Sequence, residues 1–217
     1  TMRTSLIEVD VSKNVQLMEG RFNSILSELK AHTGHEIIRS MNLRKQEVFL
    51  KGLNGSRDES KIEMYFTADE RGNSVNSLGG RSNIADRDYF IKAMRNKANA
   101  FSEPIKSRAT GNEIIACAIP VMDGGRTVGV IGATIRIDDF NSLFSGEGKT
   151  EGGYYMLLDR DGRIILHGYR ELIGKVFTDF PDDGKNFRDL RKMADSADGT
   201  IISYLFKGKE YYSYKMK

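Results

Sequence analysis

Residues 12–42 contain no proline, and their apolar side chains recur at helical spacing: Val15, Met18, Phe22, Ile25, Leu26 and Leu29, then Ile37 and Ile38. Steps of three and four place one narrow apolar stripe along an α-helix. A helix of about 30 residues is long beside a globular average of about 11–12. A narrow stripe on so long a helix has to pack along more than one module or against a second copy of the chain. A second helical stretch, 43–53, follows and ends in the polar loop 54–61.

From residue 62 the texture becomes β-prone. Runs 61–66 and 73–77 bracket the turn Asp69-Glu70-Arg71-Gly72. The same arrangement returns at 154–158, Asp159-Arg160-Asp161-Gly162 and 163–167. Its distance is too long for a solenoid repeat and suits a duplicated domain of about 100 residues. After the first hairpin, Asp86 is the expected N-cap of a helix running through Met94. Three β-prone runs follow, 101–107, 113–121 and 127–137, separated by Gly111-Asn112 and Asp123-Gly124-Gly125. They form an antiparallel meander. After the second hairpin come a helical stretch, 186–194, and a further hairpin, 199–206 with 210–216.

The expected fold is therefore α+β. A long N-terminal helix (1–42) precedes two modules, each a central antiparallel sheet flanked by helices. The first spans 43–140. A glycine-rich link (141–153), opened by Asp138-Asp139 as a helix cap, leads to a second, smaller or truncated module at 154–217.

Composition narrows the function classes. At 39% apolar and 29% charged, the 217 residues are ordinary for a globular protein and can bury a core without staples. The 33 basic and 30 acidic residues are interspersed, with no basic stripe, so no nucleic-acid partner is expected. No run of about 18 apolar residues offers a membrane span, and no signal peptide opens the chain. That fits a cytoplasmic protein, and it fits an ectodomain whose membrane helices lie on either side. Cys117, the single cysteine, sits in the apolar run 114–119 and reads as a small buried hydrophobe.

Catalytic and metal motifs are not met. His32, His35 and Glu36 share a helix face at i, i+3 and i+4, but a metalloprotease helix needs His at i and i+4 with Glu at i+1; a solvated face is the expectation. Asp159-Arg160-Asp161-Gly162 opens like a calcium loop, yet Arg170 stands where the bidentate Glu belongs. Gly79-Gly80 is followed by Arg81-Ser82 and is no phosphate loop. No enzyme activity, cofactor or metal is expected.

Four ordered stretches carry a family resemblance: Ala85-Asp86-Arg87-Asp88-Tyr89-Phe90, Phe101-Ser102-Glu103-Pro104, Gly129-Val130-Ile131-Gly132-Ala133-Thr134-Ile135, and Gly162-Arg163-Ile164-Ile165-Leu166-His167 leading to Glu171-Leu172-Ile173-Gly174-Lys175. The chain resembles a double Cache domain, the PAS-like tandem sensor of bacterial chemoreceptors, histidine kinases and cyclic-di-GMP enzymes. The resemblance covers nearly the whole chain. It implies a membrane-anchored, extracytoplasmic sensor whose ligand pocket lies in the membrane-distal first module.

Arg87, placed by sequence in the first turn of a helix, is unfavourable against the helix dipole unless an anion binds there. A structural clamp, with Arg87 paired to Asp88, Glu103 or a backbone carbonyl, is the alternative. By resemblance to the family's amino-acid-binding version, Arg87, Tyr89 and Phe90 hold a ligand carboxylate. Ser82 and Ile105 stand where that version has aromatics. Ser107 and Thr134 stand where it has the acids that meet the ligand ammonium. A desolvated ammonium would lack its counter-charge, so the expected ligand is a small carboxylate or neutral polar metabolite rather than a free amino acid. A homodimer through the long helix accompanies this reading. The alternatives are a ligand-free dimerisation module and a cytoplasmic PAS-type tandem with a cofactor.

Overall fold

In the computed structural model, the structure describes residues 2–53, 62–139, 156–158, 163–167, 170–176, 201–206 and 209–214. Helix α1 spans Met2–Thr33. It stops well short of residue 42, correcting the sequence expectation. Gly34 follows it, and His35 turns extended (φ −70°, ψ 134°) to cap α2 (Glu36–Arg39), its Nδ1 accepting from the Ile37 amide at 3.2 Å. A second cap, Asn42, accepts from the Lys45 amide at 3.2 Å and starts α3 (Leu43–Gly52). Helix breaks at glycine and cap residues outcompete the continuing apolar period. His32 and His35 therefore share no helix face. Their rings pack instead on Phe49, with centroids 5.5 and 4.6 Å away.

The chain divides into two compact units, Arg21–Phe140 and Thr1–Gly20 with Asn141–Lys217. In the first, β1 (Ile62–Asp69), β2 (Asn73–Asn76), β3 (Arg81–Asn83), α4 (Asp88–Asn96), β4 (Ala100–Phe101), β5 (Ile105–Lys106), β6 (Glu113–Asp123) and β7 (Arg126–Arg136) follow one another. In the described residues the strands make one antiparallel sheet ordered β3-β2-β1-β7-β6-β4, with β5 also on β6. The expected single strand 101–107 is two short ones. Ser102 Oγ accepts from the Ala116 amide at 2.8 Å while Pro104 has no N–H to offer the ladder. At the β1–β2 turn, Asp69 Oδ1 accepts from the Arg71 and Asn73 amides at 2.9 Å each. Gly72 supplies the positive φ of 79° that the turn requires, and a side chain there would also strike the Ala85 backbone.

The sheet has two covered faces. Tyr65, Val75, Cys117, Ile119, Ile131 and Ile135 pack with Ile25 and Leu29 of α1, Ile38 of α2 and Leu50 of α3. Phe66, Ala68, Ala116, Ala118 and Val130 pack with Tyr89, Phe90 and Ala93 of α4. Alternation along each strand sorts the faces, with register shifts at two places in this sheet, between Val121 and Met122 in the β6–β7 pair and in β1. β1 carries a bulge between Ile62 and Met64, so that Ile62 pairs with Ile135 but Met64 with Thr134. A one-residue slip reverses which face a side chain meets; here it leaves Glu63 as the extra residue.

In the second unit, β8 (Met156–Leu158) pairs with β9 (Ile164–His167), and β10 (Ile201–Phe206) with β11 (Lys209–Tyr214), all antiparallel. Both expected hairpins of that region thus have paired strands. The turn 159–162, the link 141–153 and the helical stretch 186–194 lie outside the described residues.

Candidate ligand-binding site

On the α4 side of the sheet the packing is incomplete. The small side chains Ala68, Ala116 and Ala118 face this side. A small cavity of about 30 Å³ remains, open to solvent. Phe66 and Met64 of β1, Ser74 and Asn76 of β2, and Ile84 and Ile114 supply part of its wall. The rest includes six of the seven residues singled out in the sequence: Ser82, Arg87, Tyr89, Ile105, Ser107 and Thr134. Phe90 stands apart from the lining, buried in the apolar cluster beneath α4.

Helix α4 begins one residue later than expected. Arg87, not Asp86, is its N-cap residue, in extended conformation (φ −78°, ψ 128°) and with no side-chain cap bond, while Asp88 takes the first turn. The acid at the positive end of the dipole is thus Asp88, and the guanidinium of Arg87 is released toward the cavity wall. Its Nη2 donates to the Lys106 carbonyl at 3.0 Å. A guanidinium carries five N–H donors, so this bond leaves most of them for something else.

Asp86 serves another purpose. Its two oxygens accept from Arg108 Nη1 and Nη2 at 2.7 and 2.6 Å, a bidentate pair. The hydrogen bond from Arg108 holds the Asp86 carboxyl down at about 2. Arg108 Nη1 also donates to the Asn83 carbonyl, tying the 105–109 segment to the end of β3. Tyr89 is buried, and desolvation pushes its phenol up to about 12, so it is neutral over the physiological range. Its ring meets Phe66 edge-on at 6.0 Å.

Behind the wall near β7 lies a carboxylate that sequence reasoning missed. Glu63, only 7% exposed, accepts from Thr134 Oγ1 at 3.0 Å through Oε2. Its Oε1 accepts from Thr110 Oγ1 at 2.8 Å and Asn112 Nδ2 at 2.6 Å. The bulge in β1 aims it there; bulges commonly re-aim side chains beside sites. Because a carboxylate only accepts, the Thr134 hydroxyl spends its proton on Glu63 and turns lone pairs elsewhere. Ser107 is committed too, its Oγ accepting from the Ala109 and Thr110 amides at 3.3 Å. The available signal for Glu63 was a lone acid inside the apolar run 62–66. Lys106 and Arg108 also line the cavity and were not singled out. Among the described residues the lining holds three cationic residues, Arg87, Lys106 and Arg108, and no acidic one; Glu63 and Asp86 each touch a lining residue from outside it.

Cys117 is buried in the opposite face, its thiol pushed up to about 12 by desolvation, as expected of an inert hydrophobe.

A family model described as Cache domain, of the dCache_1 type, matches residues 4–217. The chain belongs to the Cache domain family. This Cache domain is a sensory module of signal transduction, as the sequence resemblance implied. Among curated proteins it is 26% identical to sporulation kinase D of Bacillus subtilis over 164 residues, covering 72% of the chain and 32% of the kinase. It therefore spans about a third of the length of that relative. Its fold resembles the ligand-binding domain of the Pseudomonas fluorescens chemoreceptor CtaA, solved with L-serine (TM-score 0.72, 18% identity, 96% of this chain and 85% of that one). It also resembles the Campylobacter jejuni chemoreceptor Tlp3 sensory domain with isoleucine bound (0.70, 17%, 96% and 84%). A third neighbour is the Pseudomonas aeruginosa PctC ligand-binding domain with GABA (0.69, 14%, 94% and 91%). Among the described residues no helix is long and apolar enough to cross a membrane.

Proposed function

We propose that this Cache domain is the extracytoplasmic sensing region of a membrane-anchored bacterial receptor, and that it binds a small carboxylate at Arg87 in the cavity beside α4. The observation that carries this reading is the charge of the lining, three cations and no carboxylate among the described residues. Arg108 is already neutralised by Asp86, whereas among the described residues the Arg87 guanidinium is held only to a backbone carbonyl. A carboxylate accepting from that guanidinium would gain charge-assisted, bidentate bonds. Ser82, Tyr89, Ile105, Ser107 and Thr134 are the further contacts of this reading; Phe90 supports the helix behind them.

The related chemoreceptors bind amino acids, and the ligand class is where this chain is proposed to differ. A ligand ammonium reaching the β7 wall would meet the Thr134 hydroxyl oxygen. Glu63 lies behind it with both oxygens already engaged by three donors. Homodimerisation would fall to the part of α1 before residue 21, where Leu17 is 54% exposed, since Ile25 and Leu29 are spent on the sheet.

Calorimetric titration of the protein with matched panels of organic acids and amino acids tests the ligand class. A small carboxylate should bind, and Arg87→Ala should abolish its binding with the fold intact. An α-amino acid binding more tightly than its deamino counterpart overturns the reading. Unfolding of Arg87→Ala would make Arg87 the structural clamp instead.

A further inference from the structure

Asn76 is 4% exposed and lines the cavity. Its Oδ1 accepts from the Leu78 and Gly80 amides, at 3.0 Å each, which fixes the orientation of the side-chain amide. Nδ2 is therefore the nitrogen, and it donates no hydrogen bond among the described residues. Two positions earlier on the same strand face, Ser74 is 6% exposed, lines the same cavity and likewise has no side-chain partner among them. Ser82 stands directly opposite Ser74 in the β2–β3 pair and also lines the cavity. Buried donors left unmade are costly, and native structures rarely keep them without a reason. Two buried residues, Ser74 and Asn76, and the half-buried Ser82 converge on one cavity from β2 and β3 and form a set of donors awaiting an acceptor.

We propose that Ser74, Asn76 and Ser82 form a second polar subsite that takes an uncharged oxygen acceptor of the ligand, a carbonyl or ether-type oxygen, separate from the carboxylate. This deepens the carboxylate reading and rests on it. The ligand is then a bifunctional small acid rather than a plain fatty acid. The Asn76 amide sets that specificity, because its two N–H groups find no acceptor in a hydrocarbon. A site built to hydrogen-bond an oxygen rejects the analogue lacking it far more strongly than an apolar pocket rejects an extra methylene.

The test uses oxo acids paired with isosteres in which a methyl branch replaces the carbonyl oxygen: 2-oxobutanoate with 2-methylbutanoate, 4-oxopentanoate with 4-methylpentanoate, and 5-oxohexanoate with 5-methylhexanoate. Titration calorimetry gives a dissociation constant for each. At one chain length or more, the oxo acid should bind at least about tenfold more tightly than its isostere. Asn76→Asp keeps the acceptor that both turn amides use but replaces the donating nitrogen by an oxygen, and should erase that preference. Ser74→Ala, which leaves the turn untouched, should reduce it. The subsite is overturned if hydrocarbon members bind as tightly at every length, as they would were water alone to satisfy Asn76. Survival of the preference in a folded Asn76→Asp variant overturns it equally. If Asn76→Asp does not fold, the wild-type ratio and Ser74→Ala decide. Binding of no acid in either series sinks the carboxylate reading itself, a result distinct from binding without oxo preference.

Discussion

The two faces of the central sheet are built from the same strands yet do different work. Toward α1, α2 and α3 the strands present large residues, Tyr65, Ile119, Ile131 and Ile135, and completed polar links bridge them to the helices: Tyr65 Oη donates to Glu28 Oε1 of α1, and a second link joins β1 to α3. That link runs from Thr67 Oγ1 to Gln46 Oε1 at 2.8 Å, while Gln46 Nε2 donates to the Ile38 carbonyl at 2.7 Å. Toward α4 the same strands present Ala68, Ala116, Ala118 and Gly132, and the Asn76 nitrogen and the Ser74 hydroxyl have no partner among the described residues. One face satisfies itself, and the other is left to be completed from outside. Stability and binding are thereby separated across the thickness of a single sheet, so each should be breakable alone.

The largest effect belongs to the face packed on α1, α2 and α3. Leu29, with no exposed surface, should cost about 2–5 kcal/mol of stability on replacement by Ala. Thermal or denaturant unfolding reads this, and the affinity of the folded protein for a carboxylate should not change. The binding face gives the mirror result. Arg87→Ala should weaken carboxylate binding by about 1.5–3 kcal/mol, the worth of hydrogen bonds to a charged group, while the melting temperature without ligand stays put. If each variant moves both readouts equally, the separation of faces is wrong.

Gln46→Ala is next in size. It leaves the buried Thr67 hydroxyl without its acceptor and removes one of the donors to the Ile38 carbonyl, about 1–3 kcal/mol by unfolding measurements. Gln46→Glu, which keeps an acceptor but loses the donor, should destabilise as well. The smallest effect is at the rim of the cavity. Arg108 depresses the Asp86 carboxyl from 3.8 to about 2. A depressed carboxyl contributes stability that is complete above its unfolded value and lost as pH falls through the folded one. Melting curves between pH 4 and 2 should therefore fall slightly faster for the wild type than for Asp86→Asn. The pair is exposed, so the difference should be small.

Much of this division was legible in the sequence. The period of α1, the turns at Asp69 and Gly124 and the meander after α4 follow from local chemistry that tertiary context did not override. Arg87 stood out because a cation beside a helix start needs an explanation. What escaped was set by contacts distant in sequence. Asp86 looks like a cap until Arg108, brought back by the β5–β6 connection, claims its carboxylate. Glu63 looks like the polar member of an alternating strand until a bulge turns it onto Thr134. The orphaned Asn76 amide is visible only once its own turn is seen to consume its oxygen. α1 was overextended because apolar spacing continues through Gly34, although the caps at His35 and Asn42 divide it.

The central claim is that the cavity beside α4, lined by Arg87, Lys106 and Arg108, receives an anion. A crystal structure of the protein with the tightest-binding acid from the panels tests it most directly. The account predicts a ligand carboxylate within hydrogen-bond distance of the Arg87 guanidinium. A bound molecule with its ammonium against Thr134 and Glu63, or one seated away from Arg87, would contradict it.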